Sequence, residues 1–414
     1  MSKTSKKKVA DSQHASNFHP HSDVSDNNKK VLVYMVAGEA SGDQIGASLM
    51  AELSQDKNQN LHFEGIGGAQ MEAQGLRSLF PISELSIMGL VEIIPHALNI
   101  LTRLNQTVDD IKKVKPDVVV TIDSPGFTFR LAKRVHKLNI PVIHVNAPTV
   151  WAWKPRRAEK IAGYISHLLT LFPFEPPYFT KHGLPTTFMG HPLSEKKLPD
   201  IDANLFRKEN NIAKEAPLLC VLPGSRSSEI KTHLPIFTDT IELLKAQFSN
   251  LEIVIPTLES HRHQIDDFLK QKGISAIIVT DETEKYQAMR SSTAALAASG
   301  TVTLELGLTR TPMVVAYKGN PVTAAIVRRM LLIKHVSLVN ILLEKEVVPE
   351  LLQEDCRAEN LSLKLHKLLK TGSECRETQI ESLEKLAECI AAPDQKRSSQ
   401  IAADVILHSL TKVQ

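Results

Sequence analysis

Aromatic side chains are scarce in this chain. They make up 5% of its 414 residues, and only two are tryptophans. That scarcity argues against a protein that stacks nucleic-acid bases on rings. An excess of one charge is missing as well: 49 Lys and Arg against 46 Asp and Glu leave a net charge of +3, so no nucleic-acid partner is expected. The four cysteines, Cys220, Cys356, Cys375 and Cys389, lie far apart without metal-ligand spacing. They fit reduced thiols in a cytosolic protein rather than a disulfide framework. No apolar run reaches the roughly 20 residues of a membrane span. Lys3, Lys6, Lys7 and Lys8 are followed by no apolar stretch, so no secretory signal is expected. Residues 1–30 are polar, carry His14, His19 and His21, and read as a disordered tail rather than a metal site.

Apolar residues are plentiful, at 42%, enough for a sizeable core, and the length predicts two or three domains. In the first half, strands are predicted at Val31–Ala37, Leu61–Ile66, Asp117–Ile122, Ile140–Val145 and Leu168–Phe172, alternating with helices. Pro192–Ala216 is polar and reads as an interdomain connection. The pattern restarts with strands at Leu218–Leu222, Leu251–Ile255, Ala276–Val279, Ala294–Ala297 and Pro312–Ala316. This alternation predicts an α/β protein with two doubly wound parallel sheets and ligand crevices at the carboxyl ends of the strands. The C-terminal third is helical, breaks at Pro393, and ends in a helix near Ser399–Leu410 that is expected to return to the first domain. The expected boundaries are a tail 1–30, domains 31–195 and 196–392, and a terminal helix within 393–414.

The most informative stretch is Cys220–Ile230, CVLPGSRSSEI. A buried strand runs into Gly224, Ser225 and Arg226 just before a helix opens, which makes an anion site of backbone amides and a guanidinium fork. A second turn at Ala298–Glu305, ASGTVTLE, again opens a helix, with a carboxylate one turn in. Together they suggest a sugar-nucleotide site, with phosphates on amides and Arg226 and ribose hydroxyls on Glu305.

Other motifs admit two readings. Gly38–Asp43, GEASGD, follows the first strand but lacks the G-x-G-x-x-G pattern, which counts against NAD. Glu39 and Ser41 in it are ligand candidates at a strand exit, or members of a plain β–α turn. Asp123 lies just past a strand, where burial raises a carboxylate toward useful base strength, yet an Asp turn before Pro125 fits the spacing equally. Trp151 and Trp153, followed by Lys154, Arg156 and Arg157, suit either a wall for an amphiphile or a core-packing loop. The segment LSIMGLVEIIPHALNILTRL reads as a buried helix. Ala325–Lys334, AIVRRMLLIK, reads as a surface that lies on an anionic membrane. Asp200-Ile201-Asp202 reads as helix capping rather than a metal site, and no metal or other cofactor is expected.

Taken together and in order, GEASGD, GIGG near residue 65, IMGLVE at 87–92, KPDVVVTIDSP at 115–125, TVWAWK at 149–154, FMGHPL at 188–193, LPGSR at 222–226, SGTVTLE at 299–305 and VSLVNIL at 336–342 resemble the lipid-A-disaccharide synthases. The resemblance covers about residues 31–390. It implies a GT-B fold of two facing Rossmann-like domains and an inverting glycosyl transfer without an obligatory metal. It implies a UDP-2,3-diacylglucosamine donor, a 2,3-diacylglucosamine 1-phosphate acceptor, and a β-1,6-linked disaccharide phosphate plus UDP as products. By the resemblance Asp123 is the general base, and Gly224, Ser225 and Arg226 hold the diphosphate. Ser299, Gly300 and Thr301 form the phosphate turn, and Glu305 takes the ribose. Glu39, Ser41 and Asn340 line the cleft, and Trp151 and Trp153 meet substrate. The implied location is the cytoplasm, peripherally at the inner face of the cytoplasmic membrane, with homo-oligomerisation left open. Gly126 and Thr128 stand where the family pattern D-x-P-D-F-N has an acid and an amide, Ala147 where a serine is usual, and Val339 where a proline is. A UDP-sugar 2-epimerase of the same fold and a non-catalytic lipid- or nucleotide-binding paralogue are the alternatives.

Overall fold

The computed structural model describes residues 30–56, 60–85 and 93–411. The IMGLVE motif therefore lies outside the described residues. The chain forms two parallel sheets in succession. The first contains β1 (Lys30–Ala37), β2 (Asn60–Ile66), β3 (Arg77–Ser78), β4 (Val118–Ile122), β5 (Val142–Val145), β6 (His167–Thr170) and β7 (Thr186–Phe188). Their order is β3-β2-β1-β4-β5-β6-β7. The second contains β8 (Leu218–Leu222), β9 (Glu252–Pro256), β10 (Ile277–Val279), β11 (Ala294–Ala298), β12 (Met313–Tyr317) and β13 (Glu350–Leu352), in the order β10-β9-β8-β11-β12-β13.

The sequences of the central strands explain their place. Val118–Ile122, Leu218–Leu222 and Ala294–Ala298 are buried at every position, as strands covered by helices on both faces must be. In each sheet the strand order reverses beside the first strand, between β1 and β4 and between β8 and β11. Helices leaving the two strands of such a pair go to opposite faces, so a crevice opens at their carboxyl ends. Ala37 pairs with Ile122 and Leu222 with Ala297. Register thus sets Gly38-Glu39 beside Asp123-Ser124, and Pro223-Gly224 beside Ala298-Ser299.

The two halves are not joined by a bare linker. The segment expected to be an irregular connection buries Leu198 and Phe206, and forms a short helix, Leu205–Glu209. Ile212 and Ala216 of the same segment join the core as well, with Leu193 and Ile201 packed against it. The helix Ser398–Thr411 crosses back and buries Ala402, Ala403, Ile406 and Leu410 in a core shared with Leu49, Met50 and Leu53 of the Ala40–Leu53 helix. Arg397 pairs with Glu52 at 2.7 Å. The two crossings between halves touch: the His191 amide donates to the Ile390 carbonyl, and the Ser398 amide donates to Glu195 Oε1.

Candidate functional site

The Asp123 loop is bent hard. Asp123 has φ 54° and Ser124 has φ 45°, two consecutive non-glycine residues in the left-handed region. Each such residue costs on the order of 1 kcal/mol or more, so neighbours must hold it there. The Asp123 amide extends the ladder to the Val145 carbonyl, and the Ser124 amide donates to Asp123 Oδ1 at 2.8 Å. The buried Thr128 hydroxyl lies 2.7 Å from the Asp123 carbonyl and 3.0 Å from that of Ser124. Gly38 completes the clamp. A Cβ there would lie 2.1 Å from Ser124 Oγ, so only glycine lets the two loops approach this closely. Ser124 Oγ in turn donates to Glu39 Oε1 at 3.3 Å.

Burial pushes the Asp123 carboxyl above the ordinary carboxylate range. Hydrogen bonds from the Ser124 amide and from the Asn146 and Ser41 side chains pull the other way. Glu39 is raised by burial and then by the Asp123 charge, and is lowered by its bond from Ser124 and by the Arg226 charge. Arg226 belongs to the other half, and the loops after β1 and β8 both leave the carboxyl ends of their strands. A backbone hydrogen bond, from the Leu332 amide to the Ala152 carbonyl at 3.0 Å, also bridges the halves.

Across the cleft, Gly224 has φ 133° and leads into Ser225 and Arg226, which precede the helix Ser227–Lys245. The Ser225 amide donates to Glu229 Oε2 at 3.1 Å and Arg226 Nη1 to Glu229 Oε1 at 2.7 Å. The two donors converge on one carboxylate, and are therefore spaced to hold an oxyanion. Ser299, Gly300 and Thr301 follow β11, with Gly300 and Thr301 exposed. Glu305 is mostly buried, with its Oε1 held by Lys285 Nζ at 3.0 Å and the Tyr286 hydroxyl at 3.2 Å.

Two residues expected to meet substrate are buried and bonded within the fold. Trp151 is 7% exposed, meets Phe174 edge-on, and donates from Nε1 to buried Glu175 at 3.2 Å. Asn340 is fully buried. Its amide donates to the Val348 carbonyl and Glu350, and its oxygen accepts from the Val347 and Val348 amides. An indole and an amide are as useful inside a fold as in a cleft, and spacing does not separate the two uses. Trp153 does reach the surface, 38% exposed, with Lys154 Nζ 4.3 Å from its ring centroid. The Asp202 carboxylate accepts from the Asn204 amide at 2.9 Å, a turn bond just before a helix. Among the described residues there is no group of three or more His, Cys, Asp or Glu able to hold a metal.

Sequence reading missed Ser124, Asn146, Glu229, Lys285 and Tyr286. Asn146 alone left a signal, an amide at the exit of the apolar run Val142–Val145, in the same position relative to its strand as Asp123.

Two doubly wound sheets that share one cleft, with an anion loop on one side and a carboxylate at a strand exit on the other, define an α/β enzyme of GT-B fold. A UDP-N-acetylglucosamine 2-epimerase from Methanocaldococcus jannaschii, in complex with UDP-GlcNAc and UDP, superposes with TM-score 0.59 at 15% identity, covering 92% of this chain and 100% of that one. A putative epimerase from Listeria monocytogenes gives 0.58 at 15%, covering 93% and 97%. At that identity the likeness is one of fold alone.

Sequence comparison narrows the class. The family model for lipid-A-disaccharide synthetase matches residues 33–405. The lipid-A-disaccharide synthase of Rhodospirillum centenum is 43% identical over 93% of this chain and 96% of its own. That of Paramagnetospirillum magneticum is 44% identical over 91% and 98%, and that of Rickettsia prowazekii 42% over 90% and 98%. The chain belongs to the lipid-A-disaccharide synthetase family and is a glycosyltransferase.

Proposed function

We propose that Asp123 is the general base of an inverting transfer between two acylated glucosamines. The donor is UDP-2,3-diacylglucosamine and the acceptor 2,3-diacylglucosamine 1-phosphate. The acceptor 6-hydroxyl oxygen attacks the anomeric carbon, the bond from that carbon to the diphosphate oxygen breaks, and the hydroxyl proton passes to Asp123. A β-1,6 bond forms and UDP leaves. The observation that carries this reading is the strained Asp123 at the exit of β4, its loop held to Glu39 through Ser124, in a chain whose residues 33–405 match the family model. Burial of Asp123 makes it a stronger base than a free carboxylate. Gly224, Ser225 and Arg226 bind the diphosphate in place of the Glu229 carboxylate, Ser299–Thr301 supply further donors, and Glu305 takes the ribose. Glu39 and Ser41 meet substrate beside Asp123, where Ser41 also bonds to the Asp123 carboxylate. Residues 31–195 then carry the acceptor, residues 196–392 the nucleotide, and the helix within 393–414 completes the first unit.

The test is a detergent assay with both lipids, read by mass spectrometry. Disaccharide with stoichiometric UDP is the expected result. Absence of product while UDP still binds would favour a non-catalytic binder. Arg226→Ala should weaken UDP binding at least tenfold, by loss of a charged pair of hydrogen bonds, and unchanged affinity removes the phosphate role.

The acyl chains of both substrates call for a membrane surface. Leu98 is 79% exposed and Leu332 63%, with Met330 and Trp153 also exposed. Arg328, Arg329 and Lys334 flank Leu332 and are exposed too. This mixture of apolar and cationic side chains suits peripheral binding to an anionic inner leaflet. No helix among the described residues is long and apolar enough to cross a membrane. Sedimentation with anionic vesicles should pellet the protein, less so at high salt and less so for Leu332→Glu. Failure to pellet at low salt would remove the membrane from this reading.

A further inference from the structure

Outside the Asp123 cluster, four charged side chains, Lys196, Glu282, Lys285 and Glu305, meet around Tyr286. Its ring is buried between two ammonium groups, with Lys285 Nζ 4.3 Å and Lys196 Nζ 5.1 Å from the centroid. Its hydroxyl lies 3.2 Å from Glu282 Oε1, 3.2 Å from Glu305 Oε1 and 3.3 Å from Lys196 Nζ. A phenol has one proton and can serve only one carboxylate at a time. Each carboxylate oxygen also has a lysine, but Glu282 Oε1 is the more tightly paired, with Lys196 Nζ at 2.6 Å against Lys285 Nζ at 3.0 Å from Glu305 Oε1. Glu305 is therefore the better acceptor for the tyrosine proton, and the tyrosine oxygen accepts from Lys196. Burial, and then the charges of Glu305 and Glu282, keep the proton on Tyr286.

The bonds therefore run one way, from Lys196 to Tyr286 to Glu305. With Lys285 they fix Glu305 Oε1 from two sides. Among the described residues no donor is recorded on Glu305 Oε2. Lys196 belongs to the crossing between the halves, next to Glu195, which receives the Ser398 amide.

We propose that Tyr286 is a positioning residue for the nucleotide ribose: oriented by Lys196, it fixes one oxygen of Glu305 so that the other accepts from a ribose hydroxyl, and it thereby sets how strongly the site prefers ribose to deoxyribose. The inference rests on the reading of Glu305 as the ribose carboxylate. It also ties the occupied nucleotide site to the crossing between the two halves.

The test is calorimetric titration of the full chain with UDP, 2′-deoxy-UDP and 3′-deoxy-UDP. Wild type is compared with Glu305→Gln, Tyr286→Phe and Lys196→Met. Glu305→Gln should weaken UDP at least tenfold and abolish discrimination against one deoxy analogue. Tyr286→Phe keeps the ring and its packing. It should weaken UDP about fivefold to tenfold, within the net worth of one ordinary hydrogen bond, and change that deoxy analogue less than twofold. Lys196→Met should act in the same direction by about twofold to threefold, as the more distant member. If Glu305→Gln removes discrimination but Tyr286→Phe retains it, the relay is wrong while the ribose reading stands. If Tyr286→Phe weakens all three ligands alike, its role is structural and the proposal falls. If Glu305→Gln itself leaves discrimination intact, the ribose reading fails and the proposal with it.

Discussion

At the scale of single residues, what matters is which polar groups face the cleft and which are consumed by the fold. Asp123→Asn removes the proposed base but keeps the shape. Turnover should fall by about a hundredfold to ten-thousandfold with UDP affinity within about twofold, because the proposed nucleotide donors lie on the other half. Steady-state kinetics paired with UDP titration checks both. Since burial raises the Asp123 carboxyl, the acid limb of kcat/KM should lie above the free-aspartate value of about 3.9, activity being lost as pH falls through it. A limb at or below that value contradicts the assignment. Glu175 offers a second titration. Burial raises its carboxyl to about 7, against bonds from the Phe172 amide and Trp151. Its folded value exceeds its unfolded one, so the stability it contributes is full below the ordinary range and is lost as pH rises through about 7. In Trp153→Phe protein, Trp151 is the sole indole, and its emission should titrate with a midpoint near 7; a flat profile from pH 5 to 9 would sink this. The helix starts beside Arg226 and Glu305 were legible from sequence, because a strand, a small-residue turn and a helix opening leave a local pattern. The burial of Trp151 and Asn340 was not, because it is settled by distant partners such as Glu175 and Glu350.

At the scale of elements, the central strands were legible to within a residue or two, since a run such as Leu218–Leu222 admits little but a covered strand. The edge strands Arg77–Ser78, Thr186–Phe188 and Glu350–Leu352 were not, because two or three residues carry no period; the equally short Ile277–Val279 was legible only because its residues form an unbroken apolar run. The long helix Ile93–Val114 was expected to be buried, yet Leu98 and Leu101 are exposed on it. The close approach of the first two loops could not be read either, as it depends on register between β1 and β4. It can be tested at Gly38. In Gly38→Ala the new methyl group must displace Ser124 Oγ. Overpacking of this kind costs about 1–3 kcal/mol, and it should separate Ser124 from Glu39. Thermal denaturation should show the loss, and turnover should fall more than UDP affinity. A variant with wild-type stability and rate would mean the loops yield freely.

At the scale of the whole molecule, the helix Ser398–Thr411 acts as a strap from one half to the other. Ile406→Ala should destabilise by about 2–5 kcal/mol, and because Ile406 lies in a core that runs through both halves, unfolding should stay a single transition with a lower midpoint. Calorimetry showing two separated transitions in the wild type would contradict that continuity. The return of this helix was legible from the Pro393 break and its apolar face, whereas its partners, Leu49 to Leu53, were not.

The strap also bears on biosynthesis. The Ala40–Leu53 helix emerges from the ribosome about 350 residues before the segment that covers it, an interval on the order of 20–70 s at typical elongation rates. Through that interval the nascent first half carries an uncovered apolar stripe, while the second half can close as soon as its own strands are out. The half translated first is therefore completed after the half translated second, and in the meantime it is the natural client for a chaperone.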